Sequence, residues 1–145
     1  MNNKVLQTLE YDKIKLQLND FLSTPIGLQE ANELQPVSDV DLINHWLAET
    51  ADAVLIDRLK GGIPLSKLSD ITPHLKRLNI EASLSATELS EMSLVLRNTT
   101  TIASFFEQMQ DEAIGESLRV LPEQAKNLVT LPDITRQIQI AIDSS

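Results

Sequence analysis

Apolar residues recur along this chain at steps of three and four, and no alternation of period two persists long enough to predict a strand. Tyr11, Ile14, Leu18, Phe21 and Leu22 follow the helical spacing and predict a first helix running to about Leu22. Ser23-Thr24-Pro25 then stops and restarts the chain. Thr24 is placed to cap the next helix, and Pro25 suits its first position, where a missing N–H costs nothing. That helix is short and ends near Leu34, ahead of Gln35-Pro36.

A longer helix is predicted from Ser38-Asp39, with Asp39 as its cap. Ile43, Trp46, Leu47, Thr50, Ala53, Val54 and Asp57 trace its expected inner stripe, in which Asp57 is the only misfit. Lys60-Gly61-Gly62 ends it, because glycine admits the left-handed turn that closes a helix. Residues 63–69 read as a loop, and 70–78 as a short helix with Pro73 in its first turn. Ser85 with Glu88 forms a capping box. The most regular helix follows: Leu89, Met92, Leu96, Thr99, Ala103 and Phe106 share a stripe that Val95, Ile102, Phe105 and Met109 widen. It extends to about Gln110, roughly 40 Å at 1.5 Å per residue. Thr99-Thr100-Thr101 lowers its propensity, so packing must hold the middle. Gly115, Pro122 and Pro132 divide the remainder. Leu131-Pro132-Asp133 opens a last helix with Ile134, Ile138 and Ile142 on one face, expected to run to Ser145. The expectation is an all-α fold, an irregular bundle of about six or seven helices, with 1–145 as a single helical region.

Composition narrows the function. Aromatics make up 3% of the chain, so the core must come mainly from Leu, Ile, Val, Ala and Met. Twenty-one acidic residues against 12 basic ones give a net charge of −9. Nucleic-acid binding relies on Lys and Arg neutralising phosphates, so direct binding of DNA or RNA is not expected, and a role on an anionic membrane surface is equally disfavoured. The basic pairs Lys13/Lys15, Arg58/Lys60 and Lys76/Arg77 read as solvated helix ends and faces. There is no Cys, which removes disulfides, thiolate zinc sites and cysteine nucleophiles. Met1 to Leu9 do not form a signal peptide, and no stretch approaches a transmembrane span. A cytoplasmic protein is expected.

Tests for chemistry give no complete constellation. Lys60-Gly61-Gly62-Ile63-Pro64 lacks the Gly-Lys-Ser/Thr ending of a phosphate loop. His45 and His74 fall on different predicted helices, and neither belongs to a zinc-binding spacing; His45 reads as a half-buried packing residue and His74 as solvent-facing. Among carboxylate pairs, Asp39/Asp41 is explained by capping. Glu49/Asp52 is expected on an exposed helix face and Asp111/Glu112 at a helix exit. No Gly-x-Ser-x-Gly elbow occurs. Trp46 is expected in the core. No catalytic, cofactor-binding or metal residue is assigned, and the chain is not expected to be an enzyme by itself.

The run from Lys4 to Ile14 resembles the opening of the bacterial MutS paralogues that carry a C-terminal Smr domain, the MutS-II family. The likeness continues through Ser23-Thr24-Pro25-Ile26-Gly27, Leu34-Gln35-Pro36, residues 43–50, Leu59-Lys60-Gly61-Gly62-Ile63-Pro64-Leu65, Asp70-Ile71 and residues 84–89. It is loosest from Gln110 to Thr130. The resemblance implies an N-terminal core and lever region, ahead of a coiled-coil clamp, an ATPase domain and a Smr nuclease domain. It implies a homodimeric parent that uses ATP and Mg, binds branched DNA, suppresses recombination and acts on collided ribosomes. The alternative is an independent helical adaptor that binds a protein partner through Ile134, Ile138 and Ile142.

Overall fold

The computed structural model describes residues 2–143. Eight α-helices and one 3-10 turn occur among the described residues, with no strand. They are α1 (Asn3–Thr8), α2 (Tyr11–Asn19), α3 (Pro25–Glu33), α4 (Val40–Lys60), α5 (Thr72–Asn79), α6 (Ala86–Gln110), α7 (Leu121–Ala125) and α8 (Pro132–Asp143). The 3-10 turn, Ala113–Ser117, lies between α6 and α7. The fold is all-α.

Caps account for most boundaries. The Thr24 hydroxyl accepts from the Gly27 N–H at 3.0 Å, with Pro25 opening α3. Asp39 caps α4 by accepting from the N–H groups of Asp41 and Leu42. Gly61 closes α4 in the left-handed conformation at φ 79°, and Gly62 follows at φ 116°. At α6 both halves of the capping box form: the Glu88 N–H donates to the Ser85 hydroxyl, and the Ser85 N–H donates to the Glu88 carboxylate. The Asp70 carboxylate accepts from the Thr72 N–H and hydroxyl ahead of α5.

One boundary departs from the periodic pattern. The predicted first helix is α2, which starts at Tyr11 after Glu10 turns left-handed at φ 54°; the short α1 ahead of it has no counterpart in the periodic pattern. Helix α2 stops at Asn19, and Phe21 is 85% exposed. Without a surface to receive Phe21, its place in the spacing gives the helix no reason to continue. The expected run of the last helix over 144–145 lies outside the described residues.

Two groups of helices pack. α1, α2 and α3 pack in series, with Ala31 buried and Lys15 Nζ donating to the Asn32 carbonyl across α2 and α3. The second group gathers around α6, on which α7, α8 and the 3-10 turn all pack; α4 joins it through α7. Its core is small: Ile56, Phe106, Met109 and Ile114 are buried, and Leu55, Ile63, Ile102, Phe105, Leu118, Leu121 and Ala125 close around them. Four of the residues expected on the α6 stripe (Ile102, Phe105, Phe106 and Met109) serve in this core.

Helix α4 contradicts the stripe assigned to it. Trp46 is 41% exposed, not in the core, and Leu47 and Val54 lie further out. The inward side instead presents Ala48, Asp52, Leu55 and Ile56. Apolar residues surround α4 on nearly every side, so the periodicity could not choose which face turns inward.

Candidate functional site

The most constrained point of the molecule joins α4 to the start of α7. Val120 precedes α7 and offers no polar side chain to cap it. The cap comes from far away in sequence. The Asp52 carboxylate is buried and accepts from three successive backbone N–H groups: Arg119 at 3.0 Å, Val120 at 2.7 Å and Leu121 at 3.0 Å. A buried carboxylate satisfied by a turn of amides at a helix N-terminus meets both the hydrogen bonds and the positive helix pole it requires. Glu49, one turn earlier on α4, accepts from Gln124 Nε2 on α7 at 2.8 Å, and His45 Nε2 lies 2.8 Å from the same oxygen. The expectation that Glu49 and Asp52 form an exposed surface pair is thereby corrected. Asp52 turns inward because α7 has no cap of its own. His45, expected to be half-buried in packing, stands toward solvent beside Glu49.

A second set of contacts ties α4 and the 3-10 turn to the end of α6. Lys60 pairs with Glu112. Gly115 sits so close to α6 that a Cβ there would come within 2.5 Å of the Met109 carbonyl oxygen and 2.9 Å of Gln110 Cα. Only glycine fits that approach without a backbone shift.

The third junction joins α5 to α6. His74, expected to face solvent, is largely covered and holds Nε2 2.6 Å from Glu91 Oε2. Arg77 pairs with Glu88 and donates to the Ser83 carbonyl. Glu88 is held below the ordinary carboxylate range chiefly by the Ser85 N–H, with desolvation opposing and the Arg77 charge assisting. Asp70 is likewise lowered, first by the Thr72 hydroxyl and then by the Thr72 N–H. Asn98 is buried and its Oδ1 accepts from the Ser66 N–H, which fastens the 63–69 loop to α6.

Among the described residues, no group of three or more His, Cys, Asp and Glu side chains gathers around a metal position. Gly61-Gly62 lies at the carbonyl end of α4, and the Gly61 N–H is already donated to the Asp57 carbonyl. The negative pole of the helix lies at that end and disfavours phosphate there. No helix is long and apolar enough to cross a membrane. Of the basic residues singled out in the sequence, Lys13, Lys60 and Arg77 are paired with Glu10, Glu112 and Glu88.

The surface is the other unusual feature. Its accessible area is 10555 Å². A compact monomer of this 16.1 kDa mass exposes about 7,400 Å². The surplus of about 3,100 Å² exceeds the total area buried in a standard protein interface. Val5, Leu9, Ile14, Leu16 and Phe21 contribute to it at one end, and Val40, Leu47 and Val54 along α4. The terminal helix contributes less than its isoleucines suggest: α8 lies along α6, with Ile138 and Ile142 half-buried.

No protein-family profile matches the chain. In sequence it is similar to a protein of Leuconostoc citreum named Endonuclease MutS2, 99% identical over 145 residues and 100% of this chain. Proteins of the same name from Leuconostoc mesenteroides and Lactiplantibacillus plantarum are 73% and 45% identical over 100% and 99% of the chain. The chain spans 18% of the length of each of these relatives.

Proposed function

As this chain belongs to the MutS-II family, matching its members over the whole of its N-terminal stretch, we propose that it is a core and lever segment that transmits nucleotide-driven movement to a DNA-binding clamp. In this reading ATP and Mg bind elsewhere in the full-length protein, as do branched DNA, a ribosome and the second subunit of a homodimer. The segment supplies no catalytic group. Its partner is the remainder of its own polypeptide.

The observation that carries the reading is the surplus of accessible surface, with many large apolar side chains exposed on it, on a scaffold with a small core. Such a surface belongs against other protein. Rigid helices of 21 and 25 residues, α4 and α6, are suited to transmitting displacement over their length. Gly61-Gly62, at positive φ, and the Thr24-Pro25 corner are the hinges in this reading. The relatives are named as endonucleases, and this chain spans 18% of their length.

The test uses the full-length protein. Replacing Gly61 and Gly62 together by Ala is expected to reduce the effect of ATP on DNA affinity several-fold while ATP hydrolysis persists. Unchanged coupling between nucleotide and DNA would count against a hinge at this position.

A further inference from the structure

One exposed face of α4 has the geometry of a seam. Val40, Ile43, Leu47, Thr50 and Val54 step by three and four, the spacing at which one helix meets another along a coiled-coil line. Val40, Leu47 and Val54 recur every seven residues and are 68%, 61% and 62% exposed. They lie on the side of the helix away from Ile56, which is buried. Ala51 and Ala53 flank the line and let a neighbouring backbone come close. From Val40 to Val54 the seam is about 21 Å long, enough for four turns of a second helix.

The C-terminal end of the seam carries charge. Val54 and Leu47 share a groove with Arg58 and Arg119. Among the described residues, neither guanidinium forms an ion pair. The carboxylate that lines the groove, Asp52, is already occupied by three backbone amides. In a chain of net charge −9, two cations left without partners beside an apolar line favour an acidic occupant.

We infer that this seam is covered by a helix from the remaining polypeptide of the full-length protein, apolar at heptad spacing and acidic where it passes Arg58 and Arg119. The inference rests on the reading of this chain as a segment of a larger protein and deepens it by naming what sits on α4. A transient partner or second copy is the weaker fit. The chain as a whole exposes more surface than a compact monomer of its mass, by more than a standard interface buries, and it spans only 18% of its relatives' length. A helix that remains in the same polypeptide is always present at high effective concentration.

Thiol protection in the full-length protein tests this, because the 145 residues contain no Cys. Single Leu47→Cys and Val54→Cys variants are made in a background whose other cysteines, if any, are replaced. The new thiols are expected to react at least about tenfold more slowly in the native protein than after unfolding in guanidinium. Protection should be independent of protein concentration. Adding Arg58→Glu should raise labelling at position 54 several-fold, with less effect at position 47. Labelling as fast as in the unfolded chain would overturn the inference, since the seam would be open. Protection that disappears on dilution, in step with loss of dimer, would overturn it in favour of a second copy. Labelling is read without ATP or DNA, so lost nucleotide coupling in the glycine variant would leave this result standing, and the reverse.

Discussion

The Asp52 carboxylate on α4 accepts the Val120 N–H at 2.7 Å, closing a separation of 68 residues. With Arg119 and Leu121 as further donors, one side chain supplies the whole N-cap of α7. Asp52→Ala leaves three amides without an acceptor in a covered site. The expected loss is about 2–5 kcal/mol. Amide hydrogen exchange at Val120 and Leu121 should accelerate by at least about a hundredfold. Asp52→Asn should recover only part of the loss, because its amide nitrogen cannot accept. Unchanged exchange at Val120 would show that α7 is held by its packing alone.

Gly115 meets α6 backbone to backbone. Gly115→Ala must push the 3-10 turn away from the Met109 carbonyl. The expected cost is about 1–3 kcal/mol, as for other overpacked sites. Thermal denaturation checks it. Gly61→Ala offers a contrast, since a Cβ there meets nothing within 4 Å and its cost is confined to the left-handed backbone, about 1 kcal/mol.

The start of α6 should be acid-sensitive. Glu88 is lowered in the folded chain by the Ser85 N–H, so its contribution is fully present above the ordinary carboxylate value and is lost as pH falls through the depressed one. Helix fraying at residues 86–89 is expected below about pH 4. NMR chemical shifts across a pH titration would detect it. Glu88→Gln should flatten that response, and Ser85→Ala should cost about 1 kcal/mol at neutral pH.

Two phenylalanines should behave in opposite ways. Phe106 is 5% exposed within the core, and Phe106→Ala is expected to cost about 3–5 kcal/mol. Phe21 is 85% exposed, and Phe21→Ala should change stability by less than about 0.5 kcal/mol in the 145-residue chain. Urea denaturation of the two variants separates them. A large loss for Phe21→Ala would mean that α2 and its following turn pack more tightly than their exposure indicates.

Local chemistry was legible along the chain because its causes lie within a few residues. Asp39, Thr24, Ser85 with Glu88, and Gly61 each carry the side chain or backbone freedom that starts or stops a helix, and each does so in the structure. The α6 stripe was also legible over its C-terminal half, where Ile102, Phe106 and Met109 agree with a single face. The short α1 and the left-handed Glu10 that separates it from α2 were not, because a glutamate carries no glycine-like signal for such a turn.

The facing of α4 and the partnership of Asp52 belong to the tertiary structure. A helix apolar on several sides has no preferred inward face until neighbours occupy one, and here α7 took the side of Asp52 and Ile56. That choice left Trp46, Leu47 and Val54 outside. Sequence by itself determined the helices, their caps, the acidity and the family likeness. Which carboxylate is buried, and which apolar face stays exposed, depended on contacts between residues about 70 positions apart, which no local periodicity encodes.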